Sequence, residues 1–319
     1  MRPHGKRIML TAPVRKILLI LGIMLGAVLV VHTLIYLIPG DPALMIAGDY
    51  ANPEDIASIR NELALNDPFF VRYIQYLKRL SVLDMGRSVY TGAPVTEILR
   101  ERFPATLALA IIAMTIAGIA GIAFGIISAV WKGRAADYLI LWSSSVFIST
   151  PIFVTCFVLS LVFSYYLNIL PPSGKQGLNP LYIILPALAL GSRSIALIVR
   201  IVRNELLEVM NTNYIKAARS LGFHEGKIIC VFALKNIIAP VLTIILLDFG
   251  AYLGGAVVTE TIFSWPGIGR LLIISLHKRD IPVVQGIILL GTFLFLAIGI
   301  TIDVLQSVLS KKSPENSPR

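Results

Sequence analysis

The chain has 319 residues, of which 56% are apolar and only 14% charged, and its mean hydropathy is +0.80. Soluble domains carry roughly 25% charged residues and cannot hide so much apolar area, because about half of any folded surface still faces water. A water-soluble fold and intrinsic disorder are both excluded, and the formal charge of +10 finds no soluble domain on which to build a nucleic-acid-binding face.

Taken in order, the stretches without Lys, Arg, Asp or Glu are 17–40, 103–131, 138–174, 176–192, 236–259 (interrupted by Asp248) and 281–302. A helix crosses the hydrocarbon core with about 20 apolar residues, so the pattern predicts an all-α polytopic membrane protein with six transmembrane helices. The run 138–174 exceeds one helix, and Leu170-Pro171-Pro172-Ser173-Gly174 ends it as a turn. The first span, 17–38, follows Arg15-Lys16 as a signal peptide would. It is too long for one and lacks a small-x-small cleavage pattern, so it reads as a retained helix.

Charge sets the orientation. With residues 1–16 inside, the inner segments carry a large excess of Lys and Arg, whereas the outer ones carry equal numbers of each sign. The positive-inside rule then puts both tails, 1–16 and 306–319, in the cytoplasm, together with the loop 204–235. The outer segment 39–103 has helix signals of its own. Asn52-Pro53-Glu54 supplies a cap, a first-turn proline and an acid ahead of Ile56, Ile59 and Leu63, and Asp67-Pro68 opens a second helix with Phe70, Ile74 and Leu77 on one face. A small helical extracytoplasmic segment is expected there. The pairs Gly22/Gly26, Gly121/Gly125 and Gly250/Gly254 let membrane helices approach closely, within one bundle or across a dimer seam.

Chemistry-bearing motifs are missing. There is no His-Glu-x-x-His, no Gly-x-Ser-x-Gly and no paired carboxylates placed for acid–base work, so the chain is not expected to be an enzyme. Gly222-Phe223-His224-Glu225-Gly226-Lys227-Ile228 falls one residue short of a P-loop and lacks its hydroxyl. The two cysteines and four histidines have no metal-ligand spacing, and no cofactor is expected. Asp248 lies mid-span. Two readings fit it, a hydrogen bond to a neighbouring helix or a polar patch on a translocation path. Arg193 reads either as lying near a helix end or as lining a water-filled cavity.

The loop between the fourth and fifth spans holds the strongest local pattern. Thr212 or Asn213 suits an N-cap and Gly222 a left-handed C-terminal residue, which predicts a helix of about two turns between them. Tyr214, Ala217, Ala218 and Leu221 share a stripe at helical spacing, while Lys216 and Arg219 project elsewhere. Such an apolar knob with a basic rim suits a groove on a partner. It equally suits an interfacial helix lying on lipid headgroups.

Residues 211–240 resemble the EAA motif of ABC-importer permeases, in the subgroup serving dipeptides, oligopeptides and nickel, through Ala217-Ala218, Gly222, Ala233-Leu234-Lys235-Asn236 and Pro240. The resemblance extends over nearly the whole chain. It includes Pro39-Gly40-Asp41-Pro42, Asp84-Met85-Gly86-Arg87-Ser88, Phe103-Pro104-Ala105-Thr106 and, most specifically, Gly254 to Glu260, Phe263 to Leu271 and Arg279 to Gly286. Lys216 stands at the motif's glutamate position, Phe232 where a histidine often sits, and the tail lacks the Asp-Pro-Arg ending.

The resemblance implies a type I importer permease fold of the first-permease type, with an ABC transmembrane domain over 104–305. It implies an inner-membrane subunit that pairs with a second homologous permease, docks two cytoplasmic ATP-binding subunits through Tyr214, Ala217, Ala218, Leu221 and Gly222, and receives peptides from an extracytoplasmic solute-binding protein. Import of nickel or a metal chelate is the alternative within the family. An ion-coupled secondary carrier is the alternative outside it.

Overall fold

The computed structural model describes residues 22–33, 52–62, 66–174 and 180–310, together with Ile20, Ala43 and Leu44. The chain divides into two compact units, one of Met1–Phe103 with Leu271–Leu296 and one of Pro104–Arg270 with Ala297–Arg319. Among the described residues the regular structure is helical. Four helices are long and apolar enough to cross a membrane, namely α4 (Val95–Val130), α7 (Leu181–Met210), α9 (Glu225–Leu253) and α12 (Ile281–Ser310). Each falls on an apolar stretch of the sequence. The expected first span appears as a shorter apolar helix, α1 (Gly22–Thr33), and the rest of 17–38 apart from Ile20 lies outside the described residues.

The apolar run 138–174 is not one straight span. It forms α5 (Ala135–Ser149) and α6 (Ile152–Tyr166), bent by 113° at Thr150-Pro151. Proline at 151 lacks an amide proton and pushes the preceding residue out of helical geometry, and Thr150 is indeed extended. The end of α6 widens into a π-helical turn, Leu161–Tyr166, before the Leu170–Gly174 turn.

In the first unit, α2 (Pro53–Glu62) and α3 (Phe69–Ser81) begin where the proline signals place them. Phe70 and Ile74 are exposed, and it is Phe69 and Tyr73 that meet α1, with both rings against His32 and the Tyr73 hydroxyl donating to the Leu25 carbonyl at 3.1 Å. Leu63 lies outside the described residues. The turn 84–94 is pinned to the start of α12. Buried Asp280 accepts from the Ser88 hydroxyl at 2.5 Å and from the Val89 amide at 3.2 Å.

In the second unit α4 and α7 touch backbone to backbone. A Cβ on Gly121 would fall 2.7 Å from Ile198 Cβ, and one on Gly125 would fall 2.6 Å from Val202 Cβ. The Gly121/Gly125 pair is therefore a packing seam within the chain. Buried Ile198, Val202, Leu206, Ile228 and Ile237 continue that seam toward the helix ends that carry the 211–240 loop.

Candidate functional site

The loop is a folded element throughout. Helix α7 ends at Met210, and Asn211 and Thr212 turn the chain into α8 (Asn213–Ser220). Thr212 occupies the N-cap position with extended backbone, but its hydroxyl donates back to the Val209 carbonyl at 2.6 Å and caps no amide of α8. The turn is thereby locked to α7 and the new helix starts at once.

The C-terminal signal is realised as expected. Gly222 adopts φ +80°, and two bonds close the end, Gly222 N–H to Arg219 C=O at 2.9 Å and Phe223 N–H to Ala218 C=O at 3.3 Å. This is the Schellman arrangement, completed by Phe223 packing into the core that also holds Ala218. His224 then caps α9, its Nδ1 accepting from the Gly226 amide at 3.1 Å. Arg219 spans the turn with Nε 2.6 Å from Glu225 Oε1, and that hydrogen bond holds the guanidinium above its usual pKa.

Burial divides the expected stripe. Ile215 is fully buried and Ala218 is 6% exposed, both packed with Ile228, Ala233 and Ile237, whereas Leu221 is 77% exposed and Tyr214 and Ala217 face outward with it. Ala218 is thus removed from the outward face. At about 100° per residue Tyr214, Ala217 and Leu221 cluster, while Ala218 lies between that cluster and Ile215. The projecting surface is Tyr214, Ala217 and Leu221, flanked by exposed Lys216 and Arg219.

Asn236 fixes this helix to α9. Its Nδ2 donates to the Tyr214 hydroxyl at 2.5 Å and to the Phe232 carbonyl at 3.0 Å. The two residues are 22 positions apart, a pairing that no periodicity encodes. Deeper in the unit, Arg203 binds Asp137 through two contacts of 2.8 and 2.9 Å, and Asp137 also accepts from Ser128 and the Gly133 amide. The α7 end that carries α8 is thereby tied to the α4–α5 turn.

Of the two residues expected on a translocation path, Asp248 is half-buried on α9 and accepts from the Ser194 hydroxyl of α7. Ser194 also lies 2.6 Å from the Tyr252 hydroxyl, which donates to the Leu190 carbonyl at 2.8 Å. The hydrogen bond to a neighbouring helix is therefore real. Arg193, next to Ser194, is exposed in the middle of α7 rather than near an end. Ser194 and Tyr252 carried no sequence signal, since an isolated hydroxyl inside a span gives none.

Comparison with known proteins fits this architecture. Residues 121–313 match the family described as binding-protein-dependent transport system inner membrane component, and residues 9–110 match its N-terminal membrane component. The dipeptide transport system permease protein DppB of Alkalihalophilus pseudofirmus is 37% identical over 95% of this chain and 99% of its own. The DppB of Escherichia coli strain K12 is 35% identical over 95% and 98%, as is the glutathione transport system permease protein GsiC of Salmonella paratyphi A. A chain from inward-facing structures of the MetNI methionine ABC transporter superposes with a TM-score of 0.54 at 17% identity, covering 67% of this chain and 97% of that one, a likeness of fold. With two matches that together span most of the sequence and relatives aligned nearly end to end, the chain belongs to the family of binding-protein-dependent transport system inner membrane components.

Proposed function

We propose that this chain is one pore-forming subunit of an ATP-driven importer that takes up di- or oligopeptides delivered by an extracytoplasmic solute-binding protein. It pairs with a second, homologous permease, and two cytoplasmic ATP-binding subunits dock on its inner face. Both tails and the loop 204–235 lie in the cytoplasm, following the charge asymmetry. The chain itself carries out no bond chemistry. The names of the relatives, dipeptide and glutathione permeases, support the peptide reading.

The observation that carries the reading is the α8 surface, an exposed Tyr214–Ala217–Leu221 knob on a short helix whose other side is fused to the membrane core. A knob tied by Thr212 to α7 and by Asn236 to α9 cannot move alone. Displacement of α8 by a closing ATPase pair is passed to two membrane helices, one of which bears Arg193 and the other Asp248. That is the mechanical requirement for coupling nucleotide hydrolysis to opening of a path.

Gentle detergent purification followed by mass spectrometry tests the assignment, with two P-loop ATPases and a second permease expected alongside this chain. Uptake that survives ATP depletion but collapses with the ion gradient would favour the secondary carrier instead.

A further inference from the structure

Arg193 begins its side chain about 18 Å along α7 from Leu181, near the middle of a hydrocarbon layer about 30 Å thick. A charge at that depth is costly unless it meets water or a counter-charge. Yet Arg193 is exposed and has neither a hydrogen-bond nor an ion-pair partner among the described residues. Next to it in sequence, Ser194 is buried and holds Asp248 by one carboxylate oxygen, Oδ2. The other oxygen, Oδ1, has no partner among the described residues. Ser194 fixes the orientation of that carboxylate, and the Tyr252 hydroxyl, which donates to the Leu190 carbonyl, lies 2.6 Å from Ser194. The result is an anchored anion on α9 and, one residue along α7 from the serine that anchors it, an exposed cation with no ion pair between them among the described residues.

We propose that Arg193 and Asp248 form a transient station on the translocation path for a zwitterionic, peptide-like solute. Asp248 takes the α-ammonium and Arg193 the α-carboxylate. The inference rests on the permease reading above and names what its path recognises. A charge pair of this kind, carried on two helices joined through Ser194, suits a solute that carries both charges and has been stripped of its water. A neutral solute would leave both groups unpaired, and a bare divalent cation would be repelled by Arg193. Because Ser194 holds the carboxylate in place, it is a positioning residue here.

The test uses the full transporter, with both permeases, the ATPases and the binding protein, in proteoliposomes supplied with a dipeptide and its C-terminal amide. Asp248→Asn and Arg193→Gln should assemble at wild-type yield and lower dipeptide uptake at least tenfold, while Asp248→Glu and Arg193→Lys retain most of it. Arg193→Gln should also bring the ratio of free-acid to amide uptake close to one. Unchanged uptake in both neutral variants would overturn the station. Loss of the second permease from purified Arg193→Gln would overturn it too, and would assign Arg193 to the subunit seam. A wild-type transporter that imports no peptide at all would overturn the peptide reading, and this inference with it.

Discussion

Arg203 grips Asp137 with two nitrogens, at 2.8 and 2.9 Å, where the C-terminal end of α7 passes the α4–α5 turn. Asp137 is 2% exposed and Arg203 16%, so the pair is largely withdrawn from water. Its remaining acceptor capacity is used by Ser128 at 2.5 Å and by the Gly133 amide at 2.9 Å.

Removing one partner leaves the other charge uncompensated, which typically costs about 3–5 kcal/mol at a buried site. Asp137→Ala should therefore lower the thermal midpoint of the detergent-solubilised chain by several degrees, followed by circular dichroism. The double variant Asp137→Leu, Arg203→Leu should recover most of that loss, because no charge is then stranded. If the double variant were no better than the single one, the pair would be acting through its specific geometry and not through charge balance.

The α4–α7 seam makes a sharper steric prediction. Gly125→Ala would place a Cβ 2.6 Å from Val202 Cβ and 2.8 Å from its Cγ1, closer than packed carbons allow. Overpacking of this kind costs about 1–3 kcal/mol. Since the nearest clash is with Cβ itself, Val202→Ala should not rescue Gly125→Ala, whereas Val202→Gly should rescue it in part. Melting curves of Gly125→Ala alone and combined with each Val202 change decide the matter, and rescue by Val202→Ala would show that the helices separate freely.

How far the sequence reaches is visible at α8. Its start, its end and the left-handed Gly222 could all be read, because caps and glycines act within a few residues. The spans were legible for a similar reason, as hydrocarbon thickness sets a length that composition reveals. Which side of α8 faces the chain's own core was not legible. Ala217 and Ala218 are alike in size and polarity, and only the tertiary packing of Ile215 against Ile228 and Ile237 turns Ala218 inward. The 113° bend was half-written in Pro151, whose apolar surroundings hid it within one long run. The Asp137, Asp248 and Glu260 networks join residues 54 to 162 positions apart in most of their contacts, so no local pattern announces them.

The divided stripe changes what substitutions on α8 should do. Leu221→Asp alters a side chain that is 77% exposed, so it should insert and accumulate normally yet release the ATPases on purification. Ala218→Asp puts a charge into the core beside Ile215 and Ile228 and should reduce the amount of folded chain recovered. Gly222→Val places a β-branched residue at φ +80°, at a cost of about 1–2 kcal/mol or more, and should misdirect Phe223 and with it the entry to α9. Co-purification of ATPases with Leu221→Asp at wild-type stoichiometry would remove α8 as the docking element.

Glu260 organises the segment from α10 (Val257–Ile262) to the start of α11 (Ile268–His277). Its side chain is fully buried, and burial pushes its carboxyl above the usual carboxylate range. Oε1 accepts from the Thr106 hydroxyl at 2.6 Å, and Oε2 accepts from the Arg270 amide at 3.0 Å. Thr106 in turn accepts from the Ile268 amide at 2.9 Å, and Trp265 Nε1 donates to the adjacent Ala105 carbonyl at 2.8 Å. Thr106→Val keeps the shape but removes both the donor to Glu260 and the acceptor for Ile268. Each buried polar group left without a partner costs about 1–3 kcal/mol. Amide exchange at Ile268 and Arg270 should then accelerate by at least tenfold relative to amides in the middle of α4, while Thr106→Ser, which keeps the hydroxyl, should leave it near the wild-type rate. Equal protection in Thr106→Val and Thr106→Ser would mean that Trp265 and the backbone alone hold the segment, and that the Thr106–Glu260 bond is incidental to it.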